Sequence, residues 1–140
     1  MKSSTWVPVS SCSFLCRSWS LNASRRAVCE RYSAAFDGIE GVRVLRRDYS
    51  DVSPFIYSLR VLGGRREALI EHLAARGVDC GIHFVPVHKH TWFADARRSP
   101  LPVTERVVDE VVTLPLHSLM PERSIERVID GVVSFFSSVS

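Results

Sequence analysis

The feature of this sequence that most constrains its fold is a repeat of apolar residues near the C-terminus. Six apolar side chains recur at spacings of three, one, three, one and three residues: Ile125, Val128, Ile129, Val132, Val133 and Phe136. Because an α-helix makes a turn about every 3.6 residues, this spacing places all six on one face. We therefore predict an amphipathic helix that starts near Pro121, a residue suited to a first helical turn, and packs on an apolar core.

Three earlier segments also have helical signatures. Residues 24–36 begin near Asn22 and Ser24, either of which could cap a helix. Residues 65–76 end at Gly77, and residues 103–112 follow two prolines. The predicted buried side chains are Val28, Tyr32, Ala35 and Phe36 in the first, Leu69, Ile70, Leu73 and Ala74 in the second, and Val107, Val108, Val111 and Val112 in the third.

The remaining apolar segments have the composition of strands. Residues 42–45, 55–62 and 78–84 are rich in β-forming residues and are bounded by glycines, whereas residues 114–116 read as an extended bridge. A glycine inside the third segment, Gly81, suggests close approach by another backbone or a ligand. The predicted order is helix, strand, strand, helix, strand, helix, helix, so the fold class is α/β, with a small sheet covered by helices.

The length and the N-terminal composition suggest one domain. The chain has 140 residues, enough for one core, and residues 1–21 are serine-rich without a periodic pattern. We expect an irregular segment over residues 1–21 and a folded domain over residues 22–140. Pro8 and several serines interrupt the early apolar residues, so no export signal is expected. No apolar run is long enough to span a membrane, so no membrane partner is expected either.

Charge and cysteine usage narrow the function classes. The formal net charge is +3, and the arginines that produce it are scattered rather than clustered. This distribution is typical of a solvated surface, and we expect no nucleic-acid partner. The four cysteines form no C-x-x-C pair, and two of them, Cys29 and Cys80, fall on apolar faces. Buried free thiols fit a cytoplasmic protein.

The histidine cluster is the one segment where the residues themselves suggest chemistry. His83, His88 and His90 lie within eight residues and are followed by aromatic side chains. A metal site would need histidines on one face with a further ligand, and no acidic residue follows until Asp95. A Cys80–His83 nucleophile pair and a purely structural role for the histidines are the other interpretations. We expect no metal site.

Several motifs, taken in order, resemble the C-terminal part of the DegT/DnrJ/StrS family of sugar aminotransferases. They are Gly-Val-Asp-Cys-Gly-Ile-His-Phe-Val-Pro-Val-His at 77–88, Leu-Pro-Val-Thr-Glu at 101–105 and Val-Thr-Leu-Pro-Leu-His at 112–117. The resemblance extends upstream through Arg25-Arg26 with Tyr32, through Tyr57-Ser-Leu-Arg60, and through the segment from Arg65 to Leu69, and covers about residues 22–136.

The resemblance implies a fold and an activity. Family members are fold type I enzymes that depend on pyridoxal phosphate (PLP), and a small C-terminal domain closes over the large domain that holds this cofactor. They pass an amino group, usually from glutamate, to a keto sugar carried on a nucleotide, and they act as homodimers. By this match the chain has the small-domain fold, and His83 with Phe84 beside it are the candidate substrate-binding residues.

The chain departs from the family pattern where the chemistry occurs. The catalytic lysine of the family, which binds PLP as a Schiff base, belongs to a motif that this sequence lacks. The only lysines are Lys2, in the serine-rich segment, and Lys89, at a variable family position for which we expect solvent exposure. We therefore assign no catalytic or cofactor-binding residue.

The start of the chain raises a further expectation. We recognise no family segment in residues 1–20. A truncated or frame-shifted gene would produce such a start, and we expect the chain to be a fragment that is inactive alone. Two alternatives stay open: a non-catalytic nucleotide-sugar-binding or regulatory module, and an unrelated α/β domain that binds nucleic acid.

Overall fold

The computed structural model describes residues 12–93, 95–97 and 99–138 as a small antiparallel sheet with helices packed on it. In chain order the elements are helix α1 (Cys12–Phe36), strand β1 (Val42–Val44), strand β2 (Tyr57–Val61), helix α2 (Arg66–Ala74), helix α3 (Pro102–Val108), strand β3 (Val111–Leu114) and helix α4 (Glu122–Ser137). Two short 3-10 turns, Val87–Lys89 and Thr91–Phe93, lie between α2 and α3.

The sheet has the strand order β1-β2-β3, and both pairs are antiparallel. Leu59 at its centre pairs with Val44 on one side and with Val112 on the other. Because side chains alternate between the two faces of a strand, this row of apolar residues shares one face. Their sequence neighbours lie on the opposite face of the sheet: Arg43, Ser58, Arg60, Val111 and Thr113.

The core lies between the apolar face of the sheet and helices α1, α2 and α4. Tyr32 of α1 is fully buried and stacks on Phe36, while its ring edge contacts Tyr57 of β2 with centroids 5.1 Å apart. The Tyr32 hydroxyl group donates a hydrogen bond to the Pro115 carbonyl oxygen at 3.2 Å. The helices therefore cover one face of the sheet, whereas on the other face Thr113 is also buried and Val111 lines a cleft.

Most of the predicted helices and strands are confirmed. Helix α4 has the predicted position, and Ile125, Val128, Val132 and Phe136 are buried. Val133 is instead 37% exposed, since Gly131 and Phe135 complete the buried face. Helix α2 buries Leu69 and Leu73 as predicted, whereas Ala74 is exposed. The α/β fold class with a small helix-covered sheet is confirmed.

The first helix begins earlier than predicted. Residues 12–21, expected to be irregular, form the start of α1, and residues 1–11 lie outside the described residues. The sequence contains neither proline nor glycine between Pro8 and Gly38, and extending a helix already formed by packing adds one hydrogen bond per residue. Asn22 therefore lies inside the helix, where its side chain accepts a hydrogen bond from Arg25 rather than forming the cap.

Two predictions around the third strand were wrong. Residues 78–84 do not form a strand, since they make a single bridge in which Gly81 pairs with Thr113. The strand is β3, where Val111 and Val112 were expected to continue a helix from residue 103. The β-branched residues of this run lose side-chain freedom in a helix, and pairing with β2 satisfies their backbone groups instead.

No helix in the described part of the chain is long and apolar enough to cross a membrane.

Candidate functional site

A cleft opens beside strand β3, between the loop that follows Gly81 and helix α3. Its volume is about 360 Å³. The loop and the start of the 3-10 turns form one wall, and α3 with the first residue of β3 forms the other. The lining residues are Ile82, His83, Phe84, Pro86, Val103, Thr104, Val107, Val108 and Val111.

Two backbone hydrogen bonds hold the loop wall of the cleft to the sheet. The Gly81 amide donates to the Thr113 carbonyl oxygen at 3.0 Å, and the Thr113 amide donates to the Gly81 carbonyl oxygen at 2.7 Å. The Thr113 side chain pairs with the Ser58 hydroxyl group at 3.0 Å on the neighbouring strand. The predicted close approach at Gly81 is therefore confirmed as contact with another backbone segment.

His83 and Phe84 lie at the solvent side of this cleft. Their peptide bond is cis, and their rings meet edge to face with centroids 5.0 Å apart. Phe84 is 72% exposed and His83 is also exposed. An exposed imidazole can donate a hydrogen bond to a phosphate or hydroxyl oxygen, and an exposed ring offers a surface for stacking. The arrangement suits a ligand with both polar and flat apolar parts.

The other two histidines of the motif do not line the cleft. His88 is mostly buried, and its Nε2 atom lies 3.7 Å from a carboxylate oxygen of Glu105 on α3. His90 is exposed. Lys89, between them, lies with its amine 3.6 Å from Asp109 and is partly exposed, in agreement with the predicted solvent position. The described residues contain no group of three side chains suited to hold a metal ion.

The thiols lack the character of activated nucleophiles. Burial raises the pKa of the Cys80 thiol to about 11, with a further contribution from the charge of Asp79. Burial likewise raises the pKa of Cys29 to about 11. Because the thiolate is the reactive form, the Cys80–His83 nucleophile interpretation has no support from this site. Cys29 is a buried free thiol, as predicted, whereas the free thiol of Cys80 is only partly buried.

The sequence did not identify the α3 wall of the cleft. Val107 and Val108 were predicted to be buried, but both are only partly buried and line the cleft together with Val103 and Thr104. The one available signal was the Leu-Pro-Val-Thr-Glu motif at residues 101–105, which the family comparison singled out without assigning it a role.

Comparison with known proteins identifies the family to which the chain belongs. Residues 12–133 match the sequence profile of the DegT/DnrJ/EryC1/StrS aminotransferase family, so the match includes residues 12–20, which we expected to match no family segment. A relative from Streptomyces venezuelae, dTDP-3-amino-3,4,6-trideoxy-alpha-D-glucose transaminase, is 32% identical over 118 residues. That alignment covers 82% of this chain and 30% of the relative, so the chain spans about a third of the length of such proteins.

Solved structures of aminotransferases share the fold. The aminotransferase TlmJ from Streptoalloteichus hindustanus superposes with a TM-score of 0.81 at 26% identity, over 89% of this chain and 34% of TlmJ. The DesV structure from S. venezuelae, in complex with a ketimine intermediate, superposes with a TM-score of 0.76 at 29% identity. It matches 84% of this chain and 32% of DesV.

Proposed function

The chain belongs to the DegT/DnrJ/EryC1/StrS aminotransferase family, and we propose that it forms the small domain of an enzyme that aminates a nucleotide-linked keto sugar. The observation that carries this proposal is the cleft beside β3 with His83 and Phe84 at its solvent side. The name of the S. venezuelae relative, a transaminase of a dTDP-linked sugar, supports the substrate class. Glutamate as the amino donor and a homodimeric, cytoplasmic enzyme belong to the same proposal.

In this proposal His83 and Phe84 contact the nucleotide sugar. The imidazole N–H donates to a phosphate or sugar oxygen, and the Phe84 ring packs on a flat face of the ligand. A bound ligand would cover the apolar wall formed by the α3 valines, and the removal of water strengthens a hydrogen bond made at the edge of this wall. Most of the cleft surface is thus apolar, with the polar side chains of His83 and Thr104 to orient the ligand, as in many small-molecule sites.

The described residues do not fit PLP. This cofactor supplies an electron sink for amino transfer and is held as an imine on a lysine. Lys89 is the only lysine in the described ranges, and its amine faces Asp109 rather than a residue of the cleft lining. Lys2 lies outside them. We therefore propose that the chain alone has no transaminase activity and that no step of the chemistry uses its own side chains.

The second candidate is a module that binds a nucleotide sugar without catalysis. A cleft with a hydrogen-bonding side chain and without a lysine favours this function for the chain alone. It differs from the first proposal only in whether a PLP-containing domain acts together with the chain. An α/β nucleic-acid-binding domain has no such observation in its favour, and we do not propose it.

Ligand binding is the experiment that tests the site. We would titrate the 140-residue chain with a dTDP-linked hexose and a UDP-linked hexose by calorimetry, and compare His83→Ala and Phe84→Ala with His90→Ala. His90 is the matched control because it is exposed and lies outside the cleft. We expect a loss of about tenfold in affinity, near 1.4 kcal/mol, for His83→Ala and little change for His90→Ala. Equal binding by all variants contradicts the proposal.

A separate experiment tests the absence of a cofactor site. The chain is incubated with increasing PLP, reduced with borohydride and analysed by peptide mass spectrometry, with Lys89→Arg as the control. We expect labelling of Lys89 to rise without saturation, as for any surface amine. Saturable labelling of Lys89 at low PLP concentration would show a built cofactor site and would overturn the inactive-alone proposal.

A further inference from the structure

One row of paired residues crosses the sheet on the face opposite the helices. Ser58 of β2 pairs with Thr113 of β3, and Thr113 pairs in turn with Gly81. Residues that lie opposite each other in an antiparallel pair point to the same face, and the 3.0 Å contact between the Ser58 and Thr113 hydroxyl groups agrees with this. The row therefore connects β2 with the loop wall of the cleft beside β3, which we call the His83 cleft.

His83 lies on the same face, at one end of this row. A Cβ atom at residue 81 would be 2.6 Å from the His83 Cε1 atom, so the imidazole occupies the space above Gly81 on this face. Neighbouring strands lie about 4.8 Å apart, which places Ser58 about 10 Å from the Gly81 end of the row, two strand spacings away. The His83 cleft and the surroundings of Ser58 are therefore close neighbours on one surface.

A second cleft opens at the Ser58 end of the row. Its volume is about 240 Å³, and Ser58 is one of its lining residues. Most of the lining comes from the segment that joins β1 to β2, whose larger side chains in the cleft include Leu45, Tyr49, Val52, Phe55 and Ile56. Phe55 is 71% exposed, so its ring is open to contact with a ligand.

Hydrogen bonds to α1 hold the wall of the second cleft in place. Arg26 Nε donates to the Val52 carbonyl oxygen at 2.7 Å. At the start of β2, the Tyr57 hydroxyl group shares a hydrogen bond with the Ser33 hydroxyl group at 3.2 Å. The second cleft therefore has a wall that is attached to the folded core at two points.

The charge of the second cleft favours an anionic ligand. Among the described residues that line it, Arg47 is the only charged one, and it is exposed. The adjacent Arg46 lies outside this lining and pairs with Asp37 at 3.3 Å. A guanidinium group binds a phosphate group through two parallel hydrogen bonds, and an exposed aromatic ring stacks on a flat ring. A cleft that offers both suits a nucleotide.

We propose that the second cleft binds the nucleotide end of the nucleotide sugar. Arg47 donates to a phosphate oxygen, Phe55 packs on the base, and the hexose end reaches the His83 cleft along the row from Ser58 to Gly81. The inference rests on the proposed function, which supplies the ligand. Different residues bind the two ends, however, so a ligand without the hexose end tests the second cleft separately.

Calorimetry with two ligands, dTDP and dTDP-glucose, tests this arrangement on the 140-residue chain. Arg47→Met should weaken the binding of both ligands about tenfold, because it removes a hydrogen-bond donor to a charged group. Arg46→Met is the matched control, since this arginine lies outside the second cleft, and it should bind both ligands as the wild type does. His83→Ala should weaken the binding of dTDP-glucose but not of dTDP, which has no hexose end.

A second pair of variants tests the contact with the base. Phe55→Ala should weaken the binding of dTDP about tenfold, through the loss of a stacking surface. Leu119→Ala, at an apolar residue that is 79% exposed and lies outside the second cleft, should bind dTDP normally. Because Phe55 is also exposed, both variants should fold, and circular dichroism checks this.

The outcomes separate this inference from the proposed function. Equal affinity for dTDP in Arg47→Met and Arg46→Met overturns the inference, even if His83→Ala weakens dTDP-glucose binding and so supports the proposed function. A loss in Arg47→Met alone supports the second cleft, even if His83→Ala binds dTDP-glucose normally and so contradicts the proposed site. No binding of dTDP by the wild type, or unchanged binding in Phe55→Ala, also contradicts the inference.

Discussion

The imidazole of His83 lies over Gly81, so close that a Cβ atom at residue 81 would be 2.6 Å from the His83 Cε1 atom. Gly81 also makes the backbone bridge to Thr113 that starts the loop wall of the cleft. The absence of a side chain at residue 81 thus allows two things at once, pairing with the sheet edge and a folded-back position for the candidate ligand-binding histidine.

Gly81→Ala should displace the His83 ring without unfolding the protein. The nearest atoms belong to the end of a flexible side chain, so the ring can rotate away at a cost in stability of about 1 kcal/mol or less. We expect the affinity for a nucleotide sugar to fall about as much as in His83→Ala, measured by calorimetry. Asp79→Ala, at an exposed neighbouring position, is the control and should bind normally. Wild-type affinity in Gly81→Ala would show that the ring position is unimportant.

Gly131→Ala should destabilise the packing of α2 on α4. A Cβ atom at residue 131 would lie 2.5 Å from the Leu73 Cδ2 atom, and Leu73 is fully buried. Overpacking of this kind costs about 1–3 kcal/mol of unfolding free energy, measured by urea denaturation. Leu73→Ala alone should cost about 2–5 kcal/mol. The double variant should lose less than the sum of the two, because the new methyl group enters the space that Leu73 leaves. Strict additivity would contradict this contact.

Removal of one partner from the Arg60–Glu110 ion pair should cost more than removal of both. Arg60 Nε donates to the Glu110 carboxylate at 2.8 Å, and the side chains are only 22% and 16% exposed. We expect losses of about 1–3 kcal/mol in Arg60→Met and in Glu110→Gln, because each leaves a half-buried polar group without its partner.

The control for this prediction is the Arg31–Glu122 ion pair, whose side chains are 40% and 63% exposed. The corresponding variants should lose less than about 1 kcal/mol, because water screens an exposed pair. Thermal or urea unfolding of the single and double variants gives a double-mutant cycle, and so a coupling energy, for each of the two ion pairs. Equal coupling energies at the two sites would show that burial does not decide the strength of the pairs.

The stability of the folded chain should fall as the pH rises from 9 to 11. Burial raises the pKa of Cys29 from 9.0 to about 11, and the same cause raises the pKa of Cys80 to about 11. In this interval the unfolded chain releases the thiol protons while the folded chain retains them. The unfolded state therefore gains stability with rising pH, and the contribution of both thiols is complete only below the unfolded pKa.

Urea unfolding at several pH values measures this effect. Between pH 9 and 11 the wild-type chain should lose about 1–2 kcal/mol more than Cys29→Ala, whatever the stability of the variant at neutral pH. Cys80→Ala should behave similarly. If the wild type and both variants lose the same free energy over this interval, the thiols ionise as readily in the fold as in the unfolded chain.

The sequence predicted best the helices and strands whose pattern lies among residues close together in the chain. The α4 repeat and the apolar faces of α1 and α2 follow from spacings within a dozen residues, since helical hydrogen bonds join residues four apart. Gly77 follows helix α2 and has a positive φ, as expected for a C-terminal cap glycine. The family motifs named His83 and Phe84 as candidate ligand-binding residues from short ordered patterns, and their role stays a prediction.

The third strand illustrates where local patterns fail. The four valines at residues 107, 108, 111 and 112 have spacings that fit one face of a helix, yet the helix ends at Val108 and the strand begins at Val111. Pairing with strand β2 makes the segment from Val111 a strand rather than a helix. The residues that pair with it are Arg60 and its neighbours, about 50 residues away in the sequence. No periodicity within the valine run contains this information.

The amino-acid sequence by itself determined helices α2 and α4, most of α1, the first two strands and the helix-covered sheet, and it named His83 and Phe84 as candidate ligand contacts. Only the tertiary structure decided which segment completes the sheet, where Gly81 is held, and that the loop residues His88 and Lys89 face the acidic side of α3. The physical reason is that helical hydrogen bonds and apolar faces form among residues close in sequence. Strand pairing, clefts and ion pairs join segments whose approach depends on the packing of the whole core.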